Sequence, residues 1–442
     1  MSAAVRVLQI HKVFFDRGGL ERYFFLLLDE LERRGHDVVT LSMQDPRNHP
    51  SPYSRYFVSP VTFPARPTLR NAGTSVRGLA RAIWSPEALR KTRELVRLTR
   101  PDVAHVHEIH HHLSPSVLAA LREVGIPVVL SSHEYQLICP TVGLHDGRGI
   151  CEACKGHRYW KPLERRCSNG SLARSAAAAL EATIHHLTGR YDERHVQVIV
   201  AGSRFTLDKL AEFGIPRERL EYLPYVLDPK EWQPTPGVVR DPHVTLVSRL
   251  VVGKGVETFL EALRLAGDPP ARVVGDGPER ARLEALASTL GLVNVRFTGF
   301  ISKEELRLIM ESSRALVVPS QVYETFSYAV YEAMALGRPV VASRLGPIPE
   351  LVVDGQTGLL FEPGSAEDLA AKLTVLCADA AAAERMGRAA RELFLARNDV
   401  EGHYRSLMRI YELARRRRSE QPAAVTAPPE TASLSDDPRG ER

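Results

Sequence analysis

Residues 315–361 read ALVVPSQVYETFSYAVYEAMALGRPVVASRLGPIPELVVDGQTGLLF. Ala315 to Val318 is a short apolar run of the length of a buried strand. Pro319 to Glu324 reads as a loop. The pattern then predicts a helix from about Phe326 to Leu336, with Thr325 or Ser327 as N-cap and Gly337 as its stop. Pro339 to Ala342 is the next strand. In such a strand–loop–helix–strand unit the helix N-terminus lies at the carboxyl end of the sheet, where its free N–H groups can hold an anion. Glu324 precedes the helix and Glu332 sits within it. Their separation turns a helix through about 800°, so they need not share a face. Because Glu324 is on the loop, both can approach one ligand from different heights. A carboxylate accepts two hydrogen bonds and a vicinal diol donates two. An anion site flanked by acids therefore describes a sugar nucleotide.

Three further segments bear on the same reading. Val5 to Ile10 is a strand followed by HKVFFDRGGLERY, in which Gly18 and Gly19 let backbone approach a phosphate or sugar closely. The loop is not G-x-G-x-x-G, which disfavours a dinucleotide fold. Val128 to Leu130 is a strand closing on Ser-Ser-His133-Glu134, and a His at that end points into the crevice. Val244 to Val247 is a strand followed by Arg249 and, in Gly253-Lys254-Gly255, a helix start; an Arg and a Lys so placed suit a diphosphate from two sides.

Taken with ETFSYAVYEAMALGRPVVAS, these segments resemble glycosyltransferase family 4 over about residues 5–415. The resemblance implies an α/β GT-B fold, two Rossmann-like domains facing across a cleft, and a retaining transferase without a catalytic cofactor or metal. It implies that Glu324 and His133 approach the donor sugar, that Arg249 and Lys254 neutralise the leaving diphosphate, and that Glu332 binds the ribose. Gly18 and Gly19 would lie over the diphosphate, with Thr325, Phe326 and Ser327 at the helix start. Gly275 and Gly277 form a turn at the cleft edge, and the segment Gly299-Phe300-Ile301 would border the base, with Phe300 packed either on the base or in the core. Ser327 stands where the family often has Gly. Pro347, in Gly-Pro-Ile-Pro-Glu350, stands at the second Gly of a G-G-x-x-E turn, which removes one donor.

Composition agrees with a globular protein of two or three domains: 442 residues, 44% hydrophobic and 25% charged, with a net charge of +5. No motif points to nucleic acid. No apolar run approaches the roughly 20 residues of a membrane span, and no signal peptide is visible, so a cytoplasmic protein is expected. The predicted layout is an acceptor-side domain over 1–220, a nucleotide-sugar domain over 221–395, a helix returning to the first domain over 396–418, and a disordered tail over 419–442. Asp45 to Gly78, polar and proline-rich, is expected on the acceptor side. Five His within 105–112 admit cleft lining, a plain loop or a metal, with His107 the candidate for the cleft.

Within 137–170, Cys139, Cys151, Cys154 and Cys167 are spaced C-x11-C-x2-C-x12-C. Four thiolates can close a tetrahedral zinc site that pins an insertion poor in apolar residues; free thiols or a redox pair are the alternatives. Arg415 to Arg418 is either a contact for anionic lipid, suiting a polyprenyl-linked acceptor at the inner membrane face, or the solvated start of the tail. The expected partners are a UDP-, GDP- or ADP-linked sugar and a glycan or lipid-linked acceptor. A sugar-nucleotide epimerase or hydrolase, and a non-catalytic glycan-binding protein, are the rival readings.

Overall fold

The computed structural model describes residues 4–62, 72–236, 238 and 241–421. Residues 63–71 of the proline-rich segment, and the tail beyond Gln421, lie outside them. Among the described residues, twelve short strands of mostly Val, Ile, Leu and Ala form two sheets. The first contains β1 (Arg6–Ile10), β2 (Asp37–Leu41), β3 (Val103–Val106), β4 (Val128–Ser131), β5 (Val198–Ala201) and β6 (Leu220–Tyr222). The second contains β7 (Val244–Val247), β8 (Ala271–Val274), β9 (Val295–Gly299), β10 (Ala315–Val318), β11 (Val340–Ser343) and β12 (Gly358–Phe361). Every pairing between neighbours is parallel. Strands buried on both faces are what a parallel sheet sandwiched by helices demands.

The strand orders are β2-β1-β3-β4-β5-β6 and β12-β11-β10-β7-β8-β9. Each order reverses once, between β1 and β3 in the first sheet and between β10 and β7 in the second. Crossovers leave on opposite sides at such a point and open a crevice beyond the strand ends. Residues following β1, β3, β7 and β10 are thereby set to face a ligand. β6 extends the first sheet to Tyr222, so the linker begins two residues later than the sequence reading placed it.

The helical region after Asp379 breaks at Asn398 into helices Ala380–Arg397 and Val400–Ser419, with Asp399 capping the second through Gly402 N. Leu407, Ile410, Tyr411 and Ala414 of the last helix pack on Val7, Val103, Val129 and Val198 of the first sheet. The chain therefore crosses between the domains twice. The crossings are tied together, because Asn398 Oδ1 accepts from Leu227 N at 2.8 Å and Asn398 Nδ2 donates to Leu227 O at 2.9 Å.

Candidate functional site

A cavity of about 330 Å3 lies between the two sheets. The second domain supplies Arg249 after β7, Lys254, and the loop from Pro319 through Ser327 after β10; the first supplies Gly19, Glu108, His133 and Glu134. Lys254 Nζ stands 2.6 Å from Glu324 Oε1, and Ser320 Oγ donates to the same oxygen. Arg249 is exposed to the cleft. Among the described residues it has no ion pair, so its guanidinium remains available to an anion.

Two glycines hold the lysine loop. Gly253 and Gly255 adopt φ of +90° and +69°, and a Cβ on Gly255 would lie 1.8 Å from the Pro319 carbonyl oxygen. No side chain fits there without separating the lysine loop from the Glu324 loop. Gly255→Ala is expected to lower the melting temperature and to weaken nucleotide binding together; unchanged calorimetric affinity would show that the two loops need not touch. Gly275, with φ +130°, and Gly277 are held by the same constraint, a Cβ on each meeting the carbonyl of Ser248 or Leu250 within 2.2 Å. They do not line the cavity, so in this structure they pack the turn after β8 against the end of β7.

The helix that follows spans Tyr328–Ala335, two residues later than the pattern predicts. Ser327 is its N-cap but makes no side-chain cap bond. Thr325 is not a cap: its Oγ1 donates to the His133 carbonyl at 2.7 Å, across the domain boundary. The Thr325 carbonyl in turn accepts from Ser203 Oγ, and that of Glu324 from Tyr135 Oη, both at 2.8 Å. Glu350 accepts from the backbone of Arg204 and Phe205, at the start of a first-domain helix. The acidic loop is thus clamped by the opposite domain. Gly19 presses on the same helix, since a Cβ there would come 2.8 Å from the Tyr328 side chain, whereas Gly18 is extended backbone open to other residues.

Glu332 is engaged elsewhere in this structure. Its carboxylate is ion-paired with Arg22 of the first domain, is 3% exposed and does not line the cavity. Burial pushes its pKa up, against the pull of Arg22. His107 is also internal. Its Nε2 bonds Gln9 Oε1 at 2.9 Å and its Nδ1 bonds His133 Nε2 at 2.8 Å; His133 Nδ1 meets the Tyr225 hydroxyl. Gln9 Oε1 can only accept, which fixes the tautomers in turn: His107 donates from Nε2, His133 donates from Nε2, and Tyr225 donates to His133 Nδ1. Burial pushes His133 down to about 3 and His107 well below the usual range, so both rings are neutral. Phe300 is 75% exposed, beside the end of β9 rather than in a core.

Tyr225 lines the cavity without any sequence signal, and Lys12 stands behind Glu108, which the sequence places at a strand end over the cleft. Tyr225, in the linker, stacks on Tyr328 at 5.5 Å and meets Phe326 edge to face at 5.0 Å. Lys12 Nζ lies 2.7 Å from Glu108 and 2.8 Å from His110 Nε2, and His110 meets Glu134 at 3.1 Å. Among the described residues, Glu108, His110 and Glu134 are the set bringing three metal-type ligand atoms within 4.8 Å. The Lys12 ammonium already occupies the charge position between them.

The four cysteines are free, with Cys139, Cys151 and Cys154 buried and Cys167 half-buried. Burial and the neighbouring Cys139, Cys151 and Cys167 push the Cys154 thiol up to about 12. They therefore sit within electrostatic reach of one another, but further apart than a set of ligands on one ion. Two of the four C-terminal arginines hold the last helix down: Arg417 donates to the carbonyls of Gln197 and Glu218, and Arg418 to that of Arg122. Among the described residues no helix is long and apolar enough to cross a membrane.

The chain is similar to known proteins in both of its halves. The model of glycosyltransferase family 4 matches residues 17–231, and that of glycosyl transferases group 1 matches residues 230–393. Glycogen synthase of Mycobacterium tuberculosis is 28% identical over 427 residues, 92% of this chain and 93% of its own. The sulfoquinovosyl transferase of Arabidopsis thaliana is 40% identical over 163 residues, covering 35% of this chain but only 30% of that protein. The structure of Anabaena HepE in complex with UDP and glucose superposes with a TM-score of 0.62 at 17% identity, over 92% of this chain and 99% of that one. The two sheets, their facing switch points and both halves of the sequence agree: the chain belongs to glycosyltransferase family 4, with the GT-B fold.

Proposed function

We propose that the protein transfers a sugar from a nucleoside diphosphate sugar to a glycan or lipid-linked acceptor, with retention at the anomeric carbon, in bacterial surface polysaccharide assembly at the cytoplasmic face of the membrane. The observation that carries the reading is the placement of Arg249, Lys254 and a helix N-terminus around one cavity at the switch point of the second sheet. As the sugar–phosphate bond breaks, charge grows on the leaving diphosphate. Fixed cations and N–H groups stabilise that charge more than they stabilise the bound donor, which is what lowers the barrier. Lys254 is held in place beforehand by Glu324, and the diphosphate takes over part of that pairing. The Glu324 carboxylate then faces the sugar hydroxyls, with the neutral His133 ring as the opposite wall.

A thermal-shift screen of UDP, GDP, ADP and their common sugars identifies the base, since a bound ligand stabilises the fold by mass action. HepE, described with UDP and glucose, makes UDP the first nucleotide to try. Acceptor-dependent release of the nucleoside diphosphate is the expected result, with retention read from the anomeric proton of the product. Donor consumed equally fast without acceptor would indicate an epimerase or hydrolase. Binding without turnover would indicate a glycan-binding protein.

For Cys139, Cys151, Cys154 and Cys167 the proposal is a structural zinc that draws the four thiols together and deprotonates them. Protein purified without chelator is expected to hold on the order of one zinc per chain and to lose thermal stability when the metal is stripped. Less than about a tenth of an equivalent would leave them as free thiols.

A further inference from the structure

The insertion after β4 ends in an exposed face that the transferase site does not use. Trp160 is 54% exposed, and Leu163, on the short helix Lys161–Arg165, is open beside it. That helix packs on helix Leu172–Leu187. On the longer helix Leu172, Ala176, Leu180 and Leu187 fall within an arc of about 80° at ordinary helical spacing. Ser175, Ala179 and His185 are buried, whereas the three leucines of the stripe are half or more exposed, Leu187 at 77%. Three leucines of one stripe left half or more exposed, beside an exposed Trp and Leu, make an apolar surface of a kind uncommon on a soluble protein.

The same stretch is strongly basic. Residues 155–174 hold six Lys and Arg against one Glu, a net charge of +5, equal to the surplus of the whole chain. Lys155, Lys161 and Arg165 pair with Glu212, Glu164 and Asp146. Arg158 and Arg166 are exposed, and no carboxylate partner appears for them among the described residues. An apolar stripe, an exposed Trp and unneutralised arginines side by side match an interface that is hydrocarbon below and anionic above. A protein partner would be expected to leave fewer cations uncompensated. The insertion also reaches the cleft, His145 Nε2 lying 3.8 Å from the Cβ position of Gly253.

We propose that the face built from Trp160, Leu163 and the Leu172–Leu180–Leu187 stripe, with Arg158 and Arg166, docks the protein on an anionic lipid bilayer. It replaces the C-terminal arginine run as the membrane contact, since Arg417 and Arg418 are spent on backbone carbonyls. The proposal deepens the transferase reading by placing a lipid-carried acceptor beside the cleft, but vesicle binding is measured with neither donor nor acceptor and is judged separately.

The experiment is co-sedimentation of the full chain with vesicles of mixed phosphatidylglycerol and phosphatidylcholine, and with phosphatidylcholine alone. Binding is expected with the anionic vesicles only and is expected to weaken when salt shortens the screening length. Arg158→Glu with Arg166→Glu, and separately Trp160→Ser with Leu163→Ser, should each lower the partition by about tenfold or more. Arg415→Gln with Arg416→Gln should leave it unchanged. Nucleotide-induced thermal shifts equal to the native protein's confirm that each variant is folded. The proposal is overturned if the native chain ignores anionic vesicles, if the insertion variants bind as well as it does, or if the Trp160→Ser, Leu163→Ser protein changes oligomeric state without changing vesicle binding.

Discussion

Lys254→Ala is expected to slow sugar transfer by about a hundred- to a thousandfold, the usual cost of losing one fixed charge at a developing anion. The lysine reaches the cavity from a loop that Gly253 and Gly255 press against Pro319, and it is aimed by Glu324. Its position is set before any ligand arrives, so little reorganisation is needed when the diphosphate leaves. Removing it also frees Glu324 to repel the donor, which should raise the dissociation constant of the nucleoside diphosphate as well. Lys254→Arg should recover part of both losses, because the charge returns with a different shape. Initial rates of nucleoside diphosphate release and calorimetric affinity decide the matter. A variant within threefold of the native kcat would remove Lys254 from the chemistry.

Arg22→Met is expected to cost about 3 kcal/mol of stability and to lower Tm by about 6–12 °C. The guanidinium is the partner of a carboxylate that is almost fully buried. Deleting it leaves a charge with no compensation, and that is far worse than removing both groups. The double variant Arg22→Met, Glu332→Gln should therefore be more stable than Arg22→Met alone. The pH dependence has a definite sign. Burial raises the folded pKa of Glu332 above its unfolded value, so its contribution is fully present below the unfolded value and is lost as pH rises through the folded one. Without Arg22 the folded pKa climbs further and the loss extends to higher pH. Melting curves across pH 4 to about 8 test this; a flat profile for Arg22→Met, with no rescue by the second change, would show that the pair acts through packing alone. A ribose that takes Glu332, as the family resemblance implies, has to displace Arg22 first.

The two examples also mark what the sequence could convey. The strand, loop and helix around Glu324, and the Arg249 and Lys254 segment, depend on neighbours a few residues apart, and their spacing was enough to place them on one crevice. The partner of Glu332 lies 310 residues away on the other domain, and no local pattern encodes that choice. His107 reads like a cleft residue because it ends a strand, yet Gln9 and His133 hold both its nitrogens, a pairing visible only once β1, β3 and β4 lie side by side. Thr325 has the composition of an N-cap, but the first domain offers its hydroxyl a carbonyl instead. Tyr225 sits in a linker with no periodicity to mark it. The role of Asn398 is hidden for a related reason: its side chain is spent on Leu227, far back in the chain.

That last pair of bonds has a mechanical consequence. A single flexible connector would let two bodies swing and rotate about any axis. Here two connectors run side by side and are laced together at Leu227 and Asn398, so they act as two pins of one door. Neither connector can then move far without carrying the other. Opening to admit a nucleotide should then follow one arc, bringing the Lys254 and Glu324 loops back to the same place against Gly19 and His133 on every closure.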